Sequence, residues 1–121
     1  MTFKRFCIGA SSLLGSTGII GGAFGAHALR HLPANRLAIL RTAMQYQLLH
    51  AVVLLVLAIV ATETRSRVIR VAAACFAAGT FVFSCSLSAV AVLDWRFAGA
   101  LAPLGGVLLI LGWVSLAFVK T

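Results

Sequence analysis

Three features of the sequence predict an all-α fold, a bundle of four transmembrane helices in up-down order within one membrane domain. Hydrophobic residues make up 62% of the 121 residues and charged residues only 10%, whereas a soluble domain is about half apolar and about a quarter charged. Four apolar stretches each approach the ~20 residues needed to cross a bilayer. The basic residues lie mostly at the ends of these stretches, so lipid rather than water is expected to surround most side chains.

The predicted spans cover residues 6–26, 44–61, 71–93 and 97–119. The second span is extended on its N-terminal side, because Pro33 suits a first helical turn and the apolar residues that follow recur at the spacing of one helical face. We therefore expect one long helix from about Ala34 to Thr62. At 1.5 Å per residue it is longer than the ~30 Å hydrocarbon layer, so it should tilt, protrude or bend along the interface.

The first span could be confused with a signal peptide. Lys4 and Arg5 precede an apolar run, and Ala26-His27-Ala28 has the A-x-A form of a cleavage site. The run is, however, about twenty residues long and contains several glycines at packing distances, so we expect a retained helix.

Glycines in the first and fourth spans are predicted to bring helices close together. Two overlapping G-x-x-x-G pairs in the first span leave a flat strip that lets another backbone approach. The predicted packing residues are Gly18, Gly21, Gly22, Gly25, Gly105 and Gly106. Pro103 is expected to kink the fourth span. These small residues predict a tight bundle with little room for a large internal ligand, and they also suit a homo-oligomer or a larger membrane complex.

The formal net charge of +8 comes from ten Lys and Arg residues against Glu63 and Asp94. Nucleic-acid binding would require a basic face on a soluble surface, so no nucleic-acid partner is predicted. The two termini and the loop around Arg67 carry six basic residues and the opposite side four, which favours cytoplasmic termini. Arg65, Arg67 and Arg70 are interpreted as topology signals that also contact anionic lipid headgroups.

Polar side chains inside membrane spans are costly and are therefore candidate functional groups. The predicted topology could bring six residues together near the side opposite the termini: His27, Tyr46, Gln47, His50, Cys85 and Asp94. One interpretation is haem or metal ligation by His27 and His50, and another is a histidine–Asp94 proton relay. The third is a structural cap in which polar side chains satisfy loop carbonyls and Asp94 pairs with an arginine. We favour the cap and predict no metal and no cofactor.

Enzymatic motifs are missing from the sequence. It contains no H-E-x-x-H, no phosphate-binding loop and no Ser-His-Asp spacing. The two carboxylates are expected at opposite surfaces, which excludes two-carboxylate catalysis. The three cysteines lack a metal-binding spacing and lie in apolar sequence, typical of buried small hydrophobic residues. We therefore predict a non-enzymatic structural or accessory membrane protein, with a small transporter or proton-conducting protein and a haem- or metal-binding electron-transfer protein as alternatives.

Three segments carry a family resemblance: Gly22-Ala-Phe-Gly-Ala-His-Ala-Leu29, Thr42-Ala-Met-Gln-Tyr-Gln-Leu-Leu-His-Ala51 and Pro103-Leu-Gly-Gly with Gly112-Trp113. Together they resemble the family catalogued as domain of unknown function 423, which includes the human transmembrane protein 256. The resemblance implies a four-helix inner-membrane protein in bacteria and marks Gly25, His27, Tyr46, Gln47 and His50 as motif positions. The third span departs from the family pattern, with Cys85 in place of the usual Gly and Ser88 in place of the usual Tyr.

Overall fold

The computed structural model describes residues 2–60 and 66–120. This part of the chain contains four α-helices, a short 3-10 helix and no strand, in the order α1 (Phe3–Ala26), α2 (Ala34–Val60), α3 (Arg67–Leu93), the 3-10 helix (Arg96–Leu101) and α4 (Ala102–Leu116). Within these residues, α1, α2, α3 and the combined 3-10 helix and α4 are long and apolar enough to cross a membrane. The predicted all-α, four-span fold is confirmed.

Two helices begin earlier than their predicted apolar spans because polar residues cap them. The Thr2 hydroxyl accepts a hydrogen bond from the Arg5 N–H at 3.2 Å, and Ser66 accepts from the Ile69 N–H at 3.4 Å. Such caps satisfy backbone donors that have no partner within the helix. The apolar run therefore marks the part of a helix suited to hydrocarbon, whereas the cap marks where the helix starts.

The extension predicted for the second span is present, since α2 begins at Ala34. Its predicted end at Thr62 lies outside the described residues, as do Glu63 and Arg65. Pro103, predicted to kink the fourth span, lies at the start of α4 directly after the 3-10 helix. At this position its missing N–H breaks no hydrogen bond of α4.

The four helices pack in sequence order. The helix α1 lies on α2, α2 on α3, and α3 on α4, while α1 meets α3 only marginally and the described backbones of α2 and α4 do not approach each other. This arrangement leaves a groove between α1 and α3 whose floor is α2. The groove is lined by residues within 13–24 of α1, 40–47 of α2 and 81–92 of α3, together with Leu29, and we call it the α1–α3 groove.

Buried apolar residues form two clusters at different heights in the bundle. The larger one joins all four helices around Leu54 and Phe76, which are fully buried. The smaller one surrounds Met44 and Ala91, near the turn that connects α1 to α2. The two clusters hold α2 and α3 together along most of their length.

The predicted packing glycines fall into two groups. Gly18, Gly21 and Gly25 face Leu48, Met44 and Leu40 of α2, and Gly105 lies directly against the backbone of α3. Gly22 and Gly106 differ, because a Cβ added at either would find no neighbour within 4 Å. Gly18, Gly21 and Gly25 follow one another at spacings of three and four residues and face α2. Gly22 therefore lies on an adjacent face of α1.

Candidate functional site

His50 is the buried titratable group at the centre of the predicted polar cluster. Only 2% of the residue is exposed. Its Nε2 lies 3.1 Å from Trp113 Nε1, and its Nδ1 lies 2.7 Å from the Tyr46 carbonyl oxygen. An indole N–H can only donate, so Nε2 accepts and the proton of the neutral ring sits on Nδ1, which donates to the carbonyl. Both ring nitrogens are therefore engaged.

Aromatic rings enclose this imidazole. The centroids of Phe76 and Trp113 lie 5.6 and 6.0 Å from that of His50, and Tyr46 stacks on it at 6.2 Å. Phe83 extends the cluster beyond Tyr46, with centroids 4.9 Å apart. The backbones of α2 and α4 do not touch, so the Trp113–His50 hydrogen bond bridges these helices across α3.

Gln47 joins α2 to α1. Its Nε2 donates to the Leu14 carbonyl at 2.9 Å and to Thr17 Oγ1 at 2.6 Å, while the Thr17 hydroxyl itself donates to Leu13 O at 2.7 Å. Both partners of Nε2 are thus acceptors, which fixes the orientation of the amide. The amide oxygen Oε1 accepts no hydrogen bond within the described part of the chain, and only 5% of the residue is exposed.

Two serines add further links between neighbouring helices. Ser11 of α1 donates to the Ala51 carbonyl of α2 at 2.8 Å, and Ser84 of α3 donates to the Ala43 carbonyl at 3.3 Å. One buried hydroxyl contrasts with them, since Thr80 Oγ1 has no hydrogen-bond partner among the described residues. The polar groups between α1, α2 and α3 therefore serve mainly to tie helix to helix.

Arg36, near the start of α2, caps the end of α3. Its Nε donates to the Ala91 carbonyl at 2.8 Å, and a terminal guanidinium nitrogen donates to the Val92 carbonyl at 3.1 Å. The last carbonyls of a helix have no partner within it and carry partial negative charge. A cation at this position therefore supplies both the missing hydrogen bonds and a favourable electrostatic interaction. Arg36 fixes the two ends of this helix pair at the same height.

His27, Cys85 and Asp94 lie apart from the imidazole of His50. His27 and Asp94 are exposed residues at the C-terminal ends of α1 and α3, and Asp94 adopts a left-handed backbone with φ 53°. Cys85 is exposed and lines the α1–α3 groove. Among the described residues no side-chain hydrogen bond, ring contact or ion pair connects any of the three to His50.

The six predicted cluster residues therefore do not meet at one rim. His50 follows Ala34 by sixteen residues, so it lies about 24 Å along α2 from the end that is close to His27. The physical reason is the length that the N-terminal extension of α2 adds between this end and His50, which the prediction of a single rim did not take into account. The polar groups instead form three sites: the His50 aromatic cluster, the Gln47 link to α1, and the exposed helix ends. Gln47 and His50 bond to helix carbonyls, where the sequence predicted loop carbonyls.

Sequence reasoning missed two of the residues that organise these sites. Trp113 lies in the apolar fourth span, where no local pattern indicates a partner for its N–H, and this N–H reaches His50 of α2. Arg36 adds to the basic charge of its side of the membrane in the sequence, and nothing local indicates that it donates to the last carbonyls of α3. A tryptophan and a histidine in different spans can be predicted to form a hydrogen bond only when the depth of each helix in the membrane is known.

The arginines predicted to contact lipid headgroups stand near the start of α3. Arg67 and Arg70 are both exposed, and Arg67 borders a shallow apolar groove with Val71 and Phe118. Arg65 lies outside the described residues. Placement at the end of a membrane-crossing helix is the position in which basic side chains meet lipid phosphates.

This geometry limits what the site does chemically. Both nitrogens of His50 are engaged within the bundle, which leaves neither free to ligate a metal. Their partners are a backbone carbonyl and an indole N–H, and the indole N–H can only donate, so it cannot accept a proton from the imidazole. Among the described residues no three His, Cys, Asp or Glu side chains are grouped as metal ligands. The arrangement is that of a closed, hydrogen-bonded contact between helices.

These features define an integral membrane protein built from four packed apolar helices. Comparison with known proteins gives the family: residues 21–106 match the family model described as "Protein of unknown function (DUF423)", and the chain belongs to that family. The family resemblance inferred from the sequence is thereby confirmed.

Several bacterial relatives cover most of the chain. A UPF0382 membrane protein of Staphylococcus saprophyticus is 41% identical over 78% of this chain and 79% of its own. The UPF0382 membrane protein YwdK of Bacillus subtilis is 35% identical over 90% of this chain and 89% of its own. The UPF0382 inner membrane protein YgdD of Escherichia coli is 31% identical, with 91% and 85% covered. No solved structure matches significantly.

Proposed function

We propose that this protein is a non-enzymatic structural or accessory component of the bacterial inner membrane. The observation that carries the proposal is the closed state of His50, whose two nitrogens are bonded to Tyr46 and Trp113. A catalytic or proton-conducting imidazole exchanges protons with a substrate or a water chain, whereas this one links α2 to α4 through side chains. The relatives' names describe membrane proteins and no enzyme.

Association with itself or with a larger membrane complex is part of this proposal. The helix α1 packs on α2 and barely on α3, so most of its apolar surface faces away from the chain. Gly22 lies on this free surface without a neighbour, which permits close approach by another helix. The placement of both termini in the cytoplasm follows from the distribution of basic residues and belongs to the same proposal.

Extraction in a mild detergent tests the proposal. The tagged full-length protein should elute above the mass of a single 12.7 kDa chain plus detergent. Gly22→Leu should shift it towards the monomer, while Gly9→Leu, at another open position of α1, serves as the matched control. A lone monomer for the unmodified protein would contradict the accessory role.

Reconstituted vesicles test the proton-conducting alternative separately. The proposal predicts that vesicles containing the protein collapse an imposed pH gradient no faster than empty vesicles. A protein-dependent flux that is lost in His50→Leu would overturn the structural role assigned to this residue.

A further inference from the structure

The α1–α3 groove is a concave surface that the helix contacts leave open, and its volume is about 600 Å³. Small-molecule sites occupy about 300–1,000 Å³ and combine apolar walls with a few polar groups. Leu13, Phe24 and Phe81 supply apolar walls. The groove opens towards the surroundings of the bundle, which in a membrane are lipid chains.

Gln47 places an unused acceptor in this groove. Its amide hydrogens go to α1, and Oε1 accepts no hydrogen bond from the described residues although the residue is 95% buried and lines the groove. Oε1 is not enclosed like the buried, unpaired hydroxyl of Thr80, so a partner in the groove can reach it, and hydrocarbon supplies no water as a donor. The groove therefore lacks a donor at this point.

Ser88 lines the same groove, one helical turn after Ser84 in α3. It is half-buried, and its hydroxyl makes no hydrogen bond within the described chain. The exposed hydroxyls of Ser16 and Ser115, by comparison, donate to carbonyls one turn back in their own helices. Ser88 and Gln47 thus offer a ligand one hydroxyl and one amide oxygen.

The chemistry of the missing partner follows from these groups. An amide oxygen requires a donor. A charged ammonium is disfavoured, because a charge inside the bilayer is costly. Gln47 lies six residues, or about 9 Å, deeper along α2 than the exposed cation Arg41. A neutral hydroxyl attached to an apolar chain satisfies both requirements. A helix from a second copy suits the groove less well, since its backbone donors are bonded internally.

We propose that the α1–α3 groove binds a neutral lipid with a hydroxyl head, an alcohol or a phenol, whose O–H donates to Gln47 Oε1. Ser88 provides the second polar contact, and the apolar chain lies along Leu13, Phe24 and Phe81. The site is independent of the accessory role, because it requires neither an oligomer nor a partner protein.

Cys85 reports on occupancy of the groove without any substitution, because it is an exposed groove residue. Its reaction with N-phenylmaleimide is followed by peptide mass for the full-length protein in dioleoylphosphatidylcholine vesicles. Cys75, on the same helix but outside the groove lining, is the internal reference. Oleyl alcohol is compared with oleyl methyl ether, and a long-chain alkylphenol with its methyl ether, at equal mole fractions.

We expect at least one hydroxyl lipid to slow the labelling of Cys85 about two- to tenfold more than its methyl ether does, which is the range expected for one neutral hydrogen bond. The labelling of Cys75 should be the same with both lipids. The stronger of the two arms identifies the ligand as an alcohol or a phenol. Equal effects of each hydroxyl lipid and its ether, or no effect of any, would overturn the proposal.

A photoactivatable oleyl alcohol provides the second test. Ser88→Phe, which fills the groove, should reduce its crosslinking to the protein several-fold, whereas Ser16→Phe on an exposed face of α1 should not. Unchanged crosslinking in Ser88→Phe would contradict the site. An oxidative Cys85–Cys85 crosslink between two chains, formed whether or not the alcohol is present, would assign the groove to a second copy instead.

Discussion

Gly105 and Gly106 are neighbours in α4 with opposite surroundings. A Cβ added at Gly105 would lie 2.6 Å from the Phe83 backbone nitrogen and 2.9 Å from the Gly79 carbonyl oxygen. Backbone atoms cannot move aside as a flexible side chain can, so α3 and α4 would have to separate. A Cβ at Gly106 meets nothing within 4 Å.

Substituting each glycine by alanine tests this contact. Gly105→Ala should lower the free energy of unfolding in detergent by about 1–3 kcal/mol, because overpacking separates α3 from α4. Gly106→Ala should be neutral or slightly stabilising, since alanine is the better helix former. Denaturation followed by circular dichroism measures both, and equal destabilisation by the two changes would refute the assigned geometry.

The pair formed by His50 and Trp113 makes a second prediction at the residue scale. Trp113→Phe removes the indole donor and leaves Nε2 of His50 buried without a partner, so we expect a loss of about 1–3 kcal/mol. In His50→Leu the same tryptophan change should cost less, because no acceptor remains to be satisfied.

The double-mutant cycle in detergent measures this coupling directly. A positive coupling of about 0.5–1.5 kcal/mol is expected for a neutral hydrogen bond. Additive effects of the two single changes would show that the bond does not form. Tyr46 supplies the other partner through its backbone, so Tyr46→Phe should leave the coupling unchanged.

The sequence marks His50 as a candidate polar residue, because an imidazole in an apolar span is rare and costly. It could not supply the partner. Trp113 lies 63 positions away, and whether its N–H reaches His50 depends on the relative depth of α2 and α4, which no local pattern encodes.

At the scale of elements, α2 organises the bundle. It packs against α1 and α3 and reaches α4 through His50. Its N-terminal extension, predicted from Pro33 and the apolar spacing after it, also positions Arg36 beside the end of α3. The helix was predictable from local pattern, whereas its capping role was not, because that role depends on where α3 ends.

Arg36→Gln tests the cap. Loss of the charged donors should destabilise the protein by about 1–2 kcal/mol and loosen the last turn of α3, since the Ala91 and Val92 carbonyls lose their partner. Arg41→Gln is the control, because Arg41 is exposed and makes no described hydrogen bond.

Hydrogen exchange of the backbone amides near the end of α3 is the suitable measurement. The Trp95 amide is the most informative of them, because its backbone N–H donates to the Ala89 carbonyl. Faster exchange in Arg36→Gln and unchanged exchange in Arg41→Gln are expected. The same acceleration in both variants would assign the effect to total charge rather than to the cap.

At the scale of the molecule, composition was sufficient to predict four membrane-crossing helices. Apolar length and the position of basic residues are averages over many side chains, so they survive errors of a few residues at each boundary. The site was predicted less well, because the expected meeting of His27 with His50 did not take account of the length that the N-terminal extension adds to α2. Once α2 starts at Ala34, the two imidazoles lie at different depths.

The central claim is that the buried imidazole of His50 is a neutral, fully bonded link between helices. Solid-state nitrogen-15 NMR of histidine-labelled protein in bilayers at neutral pH tests it, with His27→Gln and His31→Gln introduced to leave one signal. The account predicts the Nδ1–H tautomer, with a hydrogen-bonded, unprotonated Nε2 that moves downfield in Trp113→Phe. An imidazolium, or a proton on Nε2, would contradict it.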